Sequence, residues 1–191
     1  MKTSILQPSP LLAGPRQVRV WRFGEDVNTD QIVPGRYAPY MTSEAELARY
    51  PFIEARPEFA KELVPGDILV AGRNFGCGSS REYAPLALRL VGVGAIVAPS
   101  FARIFMRNAL NLGLPLIEAD LTALPDGARV DVDLAGHVLR HEGRAHPLPD
   151  PGEFARDVWA AGGIVAHMQA TGQLPRPTAA EPAHTQAGVA S

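Results

Sequence analysis

The fold is decided by residues 67–118, DILVAGRNFGCGSSREYAPLALRLVGVGAIVAPSFARIFMRNALNLGLPLIE. Short aliphatic runs at 67–71, 95–98 and 116–117 predict buried strands. The longer segments 81–91 and 101–112 carry apolar residues at helical spacing and predict helices. Because strands that alternate with helices are typical of a parallel sheet with helical crossovers, the pattern indicates an α/β fold.

Strand-like segments flank this unit on both sides. Residues 17–23 alternate between apolar and polar side chains, as a half-buried strand does. Residues 129–134 alternate too, and we expect them to pair with 138–140 across a turn at Gly136. The flanking segments, 17–23 and 129–148, predict a second sheet or a barrel-like layer. The remaining predictions are a loop at 24–39, a short helix capped by Ser43, an N-cap at Ser100, and final helices at 153–161 and 164–170.

Length and composition indicate one ordinary globular domain. The chain has 191 residues, 46% of them hydrophobic, and a formal net charge of −2. This near-neutral charge argues against a nucleic-acid partner. The longest nearly apolar stretch, 90–99, is shorter than the roughly 20 residues needed to span a bilayer, so we expect no membrane partner and a cytoplasmic location. We expect a loose lead-in at 1–16, a folded unit at 17–172 and a disordered tail at 173–191.

The sequence contains few cysteine and histidine residues that could bind a metal. Cys77 is the only cysteine, so an internal disulfide and an all-thiolate metal site within this chain are excluded. His137 and His141 are four residues apart, but they lie in a predicted hairpin, where helical ligand spacing does not apply. We therefore expect this chain to bind no metal.

The glycine-rich loop 72–82, GRNFGCGSSRE, is the strongest candidate site. Its glycines allow the backbone to approach a ligand closely or to adopt positive φ. Ser79 or Ser80 is placed to cap the following helix, and Arg81 offers paired donors for a carboxylate or phosphate. These features predict an anion site that contains a hydroxyl. Two alternatives stay open: a tight turn before a capped helix, and a Cys77 nucleophile, which has no histidine nearby in sequence.

Several motifs occur in order along the chain. They are DVNTDQI at 26–32 with PGRY at 34–37, NFGCGSSRE at 74–82, SFARIF at 100–105, and NALNLGLP at 108–115. Together they closely resemble the small subunit of 3-isopropylmalate dehydratase, which is the swivelling domain of the aconitase superfamily. The resemblance covers about residues 17–172. It implies a single swivelling β/β/α domain of the aconitase C-terminal type.

The resemblance also implies an activity. Such small subunits pair with a large subunit that carries a [4Fe-4S] cluster, so no cofactor is expected on this chain. The single cysteine agrees with a cluster that lies elsewhere. The paired enzyme is a hydro-lyase that interconverts 2-isopropylmalate and 3-isopropylmalate by dehydration and rehydration, in leucine biosynthesis. The expected ligand is thus a small dicarboxylate.

Site residues follow by matching positions. Ser79 matches the base that removes a proton as an alkoxide, Arg81 matches the group that holds a substrate carboxylate, and Ser80 hydrogen-bonds nearby. Asp30 matches an active-site aspartate, with an Asx-type turn as the alternative. A loop that contacts the variable side chain of the substrate supplies the remaining candidates, which are Arg36, Tyr37, Ala38, Pro39 and Tyr40.

Two departures from the family pattern bear on the substrate. Tyr83 stands where the family commonly has histidine, and Ala38 and Pro39 stand where larger residues are usual. The loop lacks an extra arginine that would suit a tricarboxylate, so a dicarboxylate is favoured. The alternatives are a related small subunit acting on citramalate, dimethylmalate or homoaconitate, and a non-catalytic anion-binding module.

Overall fold

The computed structural model describes residues 6–79 and 82–172. Its centre is a seven-stranded sheet in the order β4-β3-β2-β1-β5-β6-β7. The strands are β1 (Arg16–Arg22), β2 (Ile68–Val70), β3 (Ala95–Ala98), β4 (Leu116–Glu118), β5 (Arg129–Asp133), β6 (Val138–His141) and β7 (Arg144–Pro147).

Strand β1 joins a parallel half of the sheet to an antiparallel half. One edge of β1 pairs in parallel with β2, and the sheet continues in parallel through β3 to β4. The other edge pairs antiparallel with β5, followed by the β5–β6 hairpin and β7. The predicted strands and hairpin are confirmed. The prediction of a second sheet is wrong, because β1 has a partner on each edge and makes both halves one sheet.

Seven α-helices and two 3₁₀ helices occur in the described ranges. The α-helices are α1 (Thr29–Ile32), α2 (Glu44–Leu47), α3 (Phe59–Glu62), α4 (Tyr83–Val91), α5 (Arg103–Asn111), α6 (Glu153–Ala161) and α7 (Ile164–Thr171); the 3₁₀ helices are Pro10–Ala13 and Gly35–Tyr40. The predicted loop at 24–39 therefore contains helical turns. A capping box between Asn28 and Gln31 stabilises the first of them, α1.

Three predicted helix caps had different outcomes. Ser43 caps α2, since its hydroxyl accepts a hydrogen bond from the backbone N–H of Glu46. Ser79 does not cap α4, because Glu82 is the N-cap residue of that helix; Ser80, the alternative cap, lies outside the described residues. Ser100 does not cap α5 either. Its hydroxyl accepts from the backbone N–H of Asn74, on the glycine-rich loop, at 2.9 Å.

Both faces of the sheet are covered by apolar side chains. Successive residues along one strand enter different clusters, so Leu69 packs with Trp21 on one face while Ile68 packs with Val20 on the other. Part of the expected loose lead-in also packs: Leu11 is buried, and the hydroxyl of Ser9 donates to the carbonyl oxygen of Gly94. The predicted tail at 173–191 lies outside the described residues. Within residues 6–79 and 82–172, no helix is long and apolar enough to cross a membrane.

Asp67 ties β1 to the start of β2. Its buried carboxylate accepts hydrogen bonds from the backbone N–H of Arg19 at 2.9 Å, from Trp21 Nε1 at 3.2 Å and from the backbone N–H of Val64 at 3.1 Å. If the Asp67 carboxylate is removed, these three N–H donors lose the hydrogen-bond acceptor that they share.

We therefore expect Asp67→Ala to lower the free energy of unfolding by about 3 kcal/mol, because unsatisfied buried donors are costly. Urea denaturation of the full chain measures this loss. Asp131→Ala removes an exposed carboxylate from β5 and is the matched control, with an expected change below about 0.5 kcal/mol. Equal losses for the two variants would contradict the structural role of Asp67.

Candidate active site

Backbone hydrogen bonds lay the glycine-rich loop along the segment that enters α1. The N–H of Gly76 donates to the carbonyl oxygen of Val27 at 2.7 Å, and the N–H of Thr29 donates to that of Cys77 at 2.8 Å. Asn28 and Cys77 form an isolated parallel bridge between the two segments. Motifs that lie about fifty residues apart in the chain are thus brought side by side.

Gly76 lets this loop pack against α5. Its φ is +80°, and a Cβ at this position would overlap the ring of Phe105 and lie 2.6 Å from the Cβ of that residue. Only glycine meets both requirements, since it tolerates positive φ and has no side chain. The position of the loop over α5 therefore depends on this residue.

Asn74 connects the loop to two other motifs. Its side-chain amide donates to Asp26 Oδ1 at 2.8 Å, while its backbone N–H donates to the hydroxyl of Ser100. Asn74 and Asp26 both have positive φ, at 60° and 53°. Asparagine and aspartate are the non-glycine residues that adopt this conformation most readily, so the residue types suit this junction.

Ser79 lies against the first residue of α1. Its backbone N–H donates to Thr29 Oγ1 at 3.1 Å, and the two hydroxyl oxygens are 3.2 Å apart. Ser79 is half-buried, whereas Thr29 is only 3% exposed. These contacts fix both the backbone and the hydroxyl of Ser79 at the head of α1.

Asp30 follows Thr29 directly and is exposed. The backbone N–H of Gly35 donates to Asp30 Oδ1 at 3.3 Å, so the carboxylate bridges α1 and the start of the second 3₁₀ helix. Ser79 thus contacts Thr29, the residue next to Asp30 in the chain, while the Asp30 carboxylate is bonded to the segment that follows α1. Ser80 and Arg81 lie outside the described residues, and their roles remain predictions.

A pocket of about 340 Å³ opens between α1, the second 3₁₀ helix and α4. Thr29 is one of its lining residues, so the residue that contacts Ser79 also borders the pocket. The described lining residues are Thr29, Val33, Pro34, Gly35, Ala38, Met41, Tyr83 and Ala84. None of these described residues carries a formal charge, and most are apolar.

Only part of the predicted substrate loop lines this pocket. Ala38 is among the described lining residues; Arg36, Tyr37, Pro39 and Tyr40 are not. Arg36 instead forms a salt bridge with Glu54 at 2.6 Å and lies over the ring of Tyr37, 5.2 Å from its centroid. The hydrogen bond to the Tyr37 hydroxyl and the charge of Glu54 both raise the pKa of Arg36.

Sequence reasoning assigns no role to one polar residue of this site. Thr29, Met41 and Tyr83 line the pocket; Met41 ends the predicted substrate loop and Tyr83 is a departure from the family pattern, but Thr29 is not singled out. Thr29 stood inside the quoted motif 26–32 without a role. The signal that identifies it is a contact with a residue fifty positions away, which no local pattern contains.

Cys77 is half-buried within the loop. Its sulfur donates to the carbonyl oxygen of Asp26 at 3.5 Å. A carbonyl cannot take up the thiol proton, so this contact does not activate the sulfur as a nucleophile.

The described part of the chain contains no group of three or more His, Cys, Asp or Glu side chains that could hold a metal ion.

Comparison with known proteins gives consistent matches. Residues 26–120 match the family model of the aconitase C-terminal domain. A 3-isopropylmalate dehydratase small subunit from Deinococcus radiodurans is 48% identical, over 82% of this chain and 89% of that protein. A homoaconitase small subunit from Thermus thermophilus is also 48% identical, over 82% of this chain and 98% of that protein. The crystal structure of 3-isopropylmalate dehydratase from Methanocaldococcus jannaschii matches with a TM-score of 0.76 at 39% sequence identity. The match covers 82% of this chain and 94% of that chain.

The chain therefore belongs to the aconitase C-terminal domain family, among the small subunits of 3-isopropylmalate dehydratase and homoaconitase. The resemblance predicted from the motifs and the α/β fold class are confirmed.

Proposed function

We propose that this chain is the small subunit of a heteromeric hydro-lyase that interconverts 2-isopropylmalate and 3-isopropylmalate in leucine biosynthesis, in the cytoplasm. The observation that carries the proposal is the contact of the Ser79 hydroxyl with Thr29, a residue that lines a largely apolar pocket. A relative named as a small subunit of this dehydratase and a solved structure named as this dehydratase support it.

In this proposal Ser79 takes the proton from a substrate carbon that neighbours a carboxylate. Loss of this proton and of the hydroxyl group removes one water and leaves a carbon–carbon double bond. Water then adds back with the hydrogen and hydroxyl positions exchanged, and Ser79 returns the proton. Arg81 holds a substrate carboxylate with its paired donors, and Asp30 orients the charged groups at the head of α1.

A serine hydroxyl is a weak base unless its anion is stabilised. Hydrogen-bond donors fixed around the oxygen provide this stabilisation, because they require no reorganisation during the reaction. We assign the [4Fe-4S] cluster to the partner large subunit, where it would act as a Lewis acid on the departing hydroxyl. The small subunit thus supplies the base and part of the substrate pocket.

The pocket supports an apolar substrate side chain. Its described lining offers no cation to a third carboxylate, and Arg36, beside it in sequence, is paired with Glu54. An isopropyl group suits such a lining, whereas the additional carboxylate of homoaconitate would find no cationic partner among the described lining residues. Among the related substrates, this favours 2-isopropylmalate.

The test is a substrate panel with the reconstituted pair of small and large subunits. We expect the highest kcat/KM for 2-isopropylmalate, lower values for citramalate and dimethylmalate, and the lowest value for homoaconitate. A preference for homoaconitate would contradict the assignment of the substrate. Tight binding of a dicarboxylate by the isolated chain, with no turnover by the pair, would instead support the non-catalytic anion-binding module.

Enlarging Ala38 should reduce the size of the pocket. We expect Ala38→Leu to lower kcat/KM for 2-isopropylmalate about tenfold, because extra methylenes in an apolar pocket change specificity by one to two orders of magnitude. Citramalate, which carries a methyl group in place of the isopropyl group, should be affected less. Ala123→Leu, at an exposed position outside the described pocket lining, is the control and should leave both values unchanged. Equal losses for the two substrates would show that Ala38 does not contact the side chain.

A further inference from the structure

We propose that Thr29 is a positioning residue that donates its hydroxyl hydrogen to Ser79 Oγ and so holds Ser79 in its role as base. This inference rests on the proposed function, and it adds a hydrogen-bond donor to the site that the proposed function describes. Its basis is the pair of contacts between Thr29 Oγ1 and the backbone nitrogen and hydroxyl of Ser79.

The direction of the hydrogen bond follows from counting hydrogens and lone pairs. A threonine hydroxyl has one hydrogen and two lone pairs. The backbone N–H of Ser79 already uses one lone pair of Thr29 Oγ1, at 3.1 Å. When Ser79 loses its own hydroxyl hydrogen, its oxygen can only accept. The 3.2 Å contact between the hydroxyls must then run from Thr29 to Ser79.

Thr29 is held in place before any substrate arrives. Its backbone N–H donates to the carbonyl oxygen of Cys77, and the capping box of Asn28 and Gln31 fixes the turn that it begins. Its β-branched side chain has few rotamers, which limits the positions of its oxygen. At 3% exposure, the residue is also largely shielded from water that would compete for the hydrogen.

Gly78 provides the space for this contact. Its φ is +101°, and a Cβ at Gly78 would lie 3.2 Å from Thr29 Oγ1, closer than most side-chain contacts. The glycine between Cys77 and Ser79 therefore allows the loop to bring Ser79 against Thr29. The loop and α1 together form a donor that is oriented in advance toward the oxygen on which negative charge develops.

The test uses Thr29→Val and Thr29→Ser in the reconstituted pair. Thr29→Val keeps the branched shape and removes the hydroxyl, and we expect kcat to fall about 100-fold, as when a donor to a developing oxyanion is removed. KM should change less than about threefold, because the donor acts on Ser79 and not on bound substrate. Thr29→Ser keeps the hydroxyl and should restore kcat to within about threefold to fivefold of the wild type.

Thr122→Val is the matched control. The Thr122 hydroxyl donates to Asp120 Oδ1 at 2.6 Å, so this variant also removes a bonded threonine hydroxyl, but one outside the site. We expect its kcat to equal that of the wild type. If Thr29→Val does not fold or does not assemble with the large subunit, Thr29→Ala takes its place. Its kcat should again fall far below that of Thr29→Ser.

The outcomes separate this inference from the proposed function. A wild-type pair without turnover of any tested 2-hydroxy diacid would contradict the proposed function itself. An active wild type with an inactive Ser79→Ala variant and a fully active Thr29→Val variant would overturn only the role of Thr29. Equal losses of kcat for Thr29→Ser and Thr29→Val would also overturn it, since they would point to packing and not to the hydroxyl.

Discussion

Ser79→Ala is expected to lower kcat of the reconstituted pair by about 10³-fold, since the base that removes the substrate proton is lost. KM for 2-isopropylmalate should stay within a few-fold, because the pocket described by Thr29, Ala38 and Met41 is retained. Steady-state kinetics of the purified pair measure both values.

Ser43→Ala is a suitable control for this experiment. Ser43 caps α2 through its hydroxyl, so its removal is expected to cost about 1 kcal/mol of stability while leaving kcat unchanged. A Ser79→Ala pair with wild-type turnover would show that another group is the base. The Ser43 variant separates this result from a general effect of losing a serine hydroxyl.

The second large effect is on stability, for Gly76→Ala. This substitution places a Cβ into the ring of Phe105 at a φ of +80°, so it combines backbone strain with overpacking. We expect it to lower the free energy of unfolding by about 3 kcal/mol or more, of which about 1 kcal/mol is backbone strain and the rest is steric. Urea denaturation of the full chain gives this value.

Gly143→Ala isolates the backbone part of that cost. Gly143 has a φ of +76°, close to that of Gly76, but a Cβ there would meet no other atom within 4 Å. Its expected loss is only the strain of about 1 kcal/mol. If the two variants lost the same stability, the packing of the loop against α5 would not be as described.

The centre of the parallel half of the sheet could be predicted from sequence because β2 and β3 are continuous apolar runs. Ile68–Val70 and Ala95–Ala98 are buried on both faces, and such strands are recognised without knowledge of their neighbours. The prediction for β1 was right about the strand and wrong about the sheet. Its alternating pattern shows that one face is buried, but it does not show which strands pair with its two edges.

The candidate site was predictable where residue type and motif agree, and not where contacts are distant. Ser79 and Asp30 are predicted by resemblance; the structure places the Ser79 hydroxyl against Thr29, the neighbour of Asp30 in the chain, and the roles of both residues remain predictions. The predicted cap roles of Ser79 and Ser100 were wrong, because these hydroxyls bond to Thr29 and Asn74, far away in the chain. A serine before a helix indicates a cap only when no other partner is closer in space.

The most direct test of the central claim is turnover of 2-isopropylmalate by the small subunit, the large subunit and the reconstituted pair, measured side by side. The account predicts that the pair forms 3-isopropylmalate, that neither chain alone does so, and that the pair carrying Ser79→Ala does so about 10³-fold more slowly. An inactive wild-type pair with an intact cluster, or an isolated small subunit that turns over this substrate, would contradict the account.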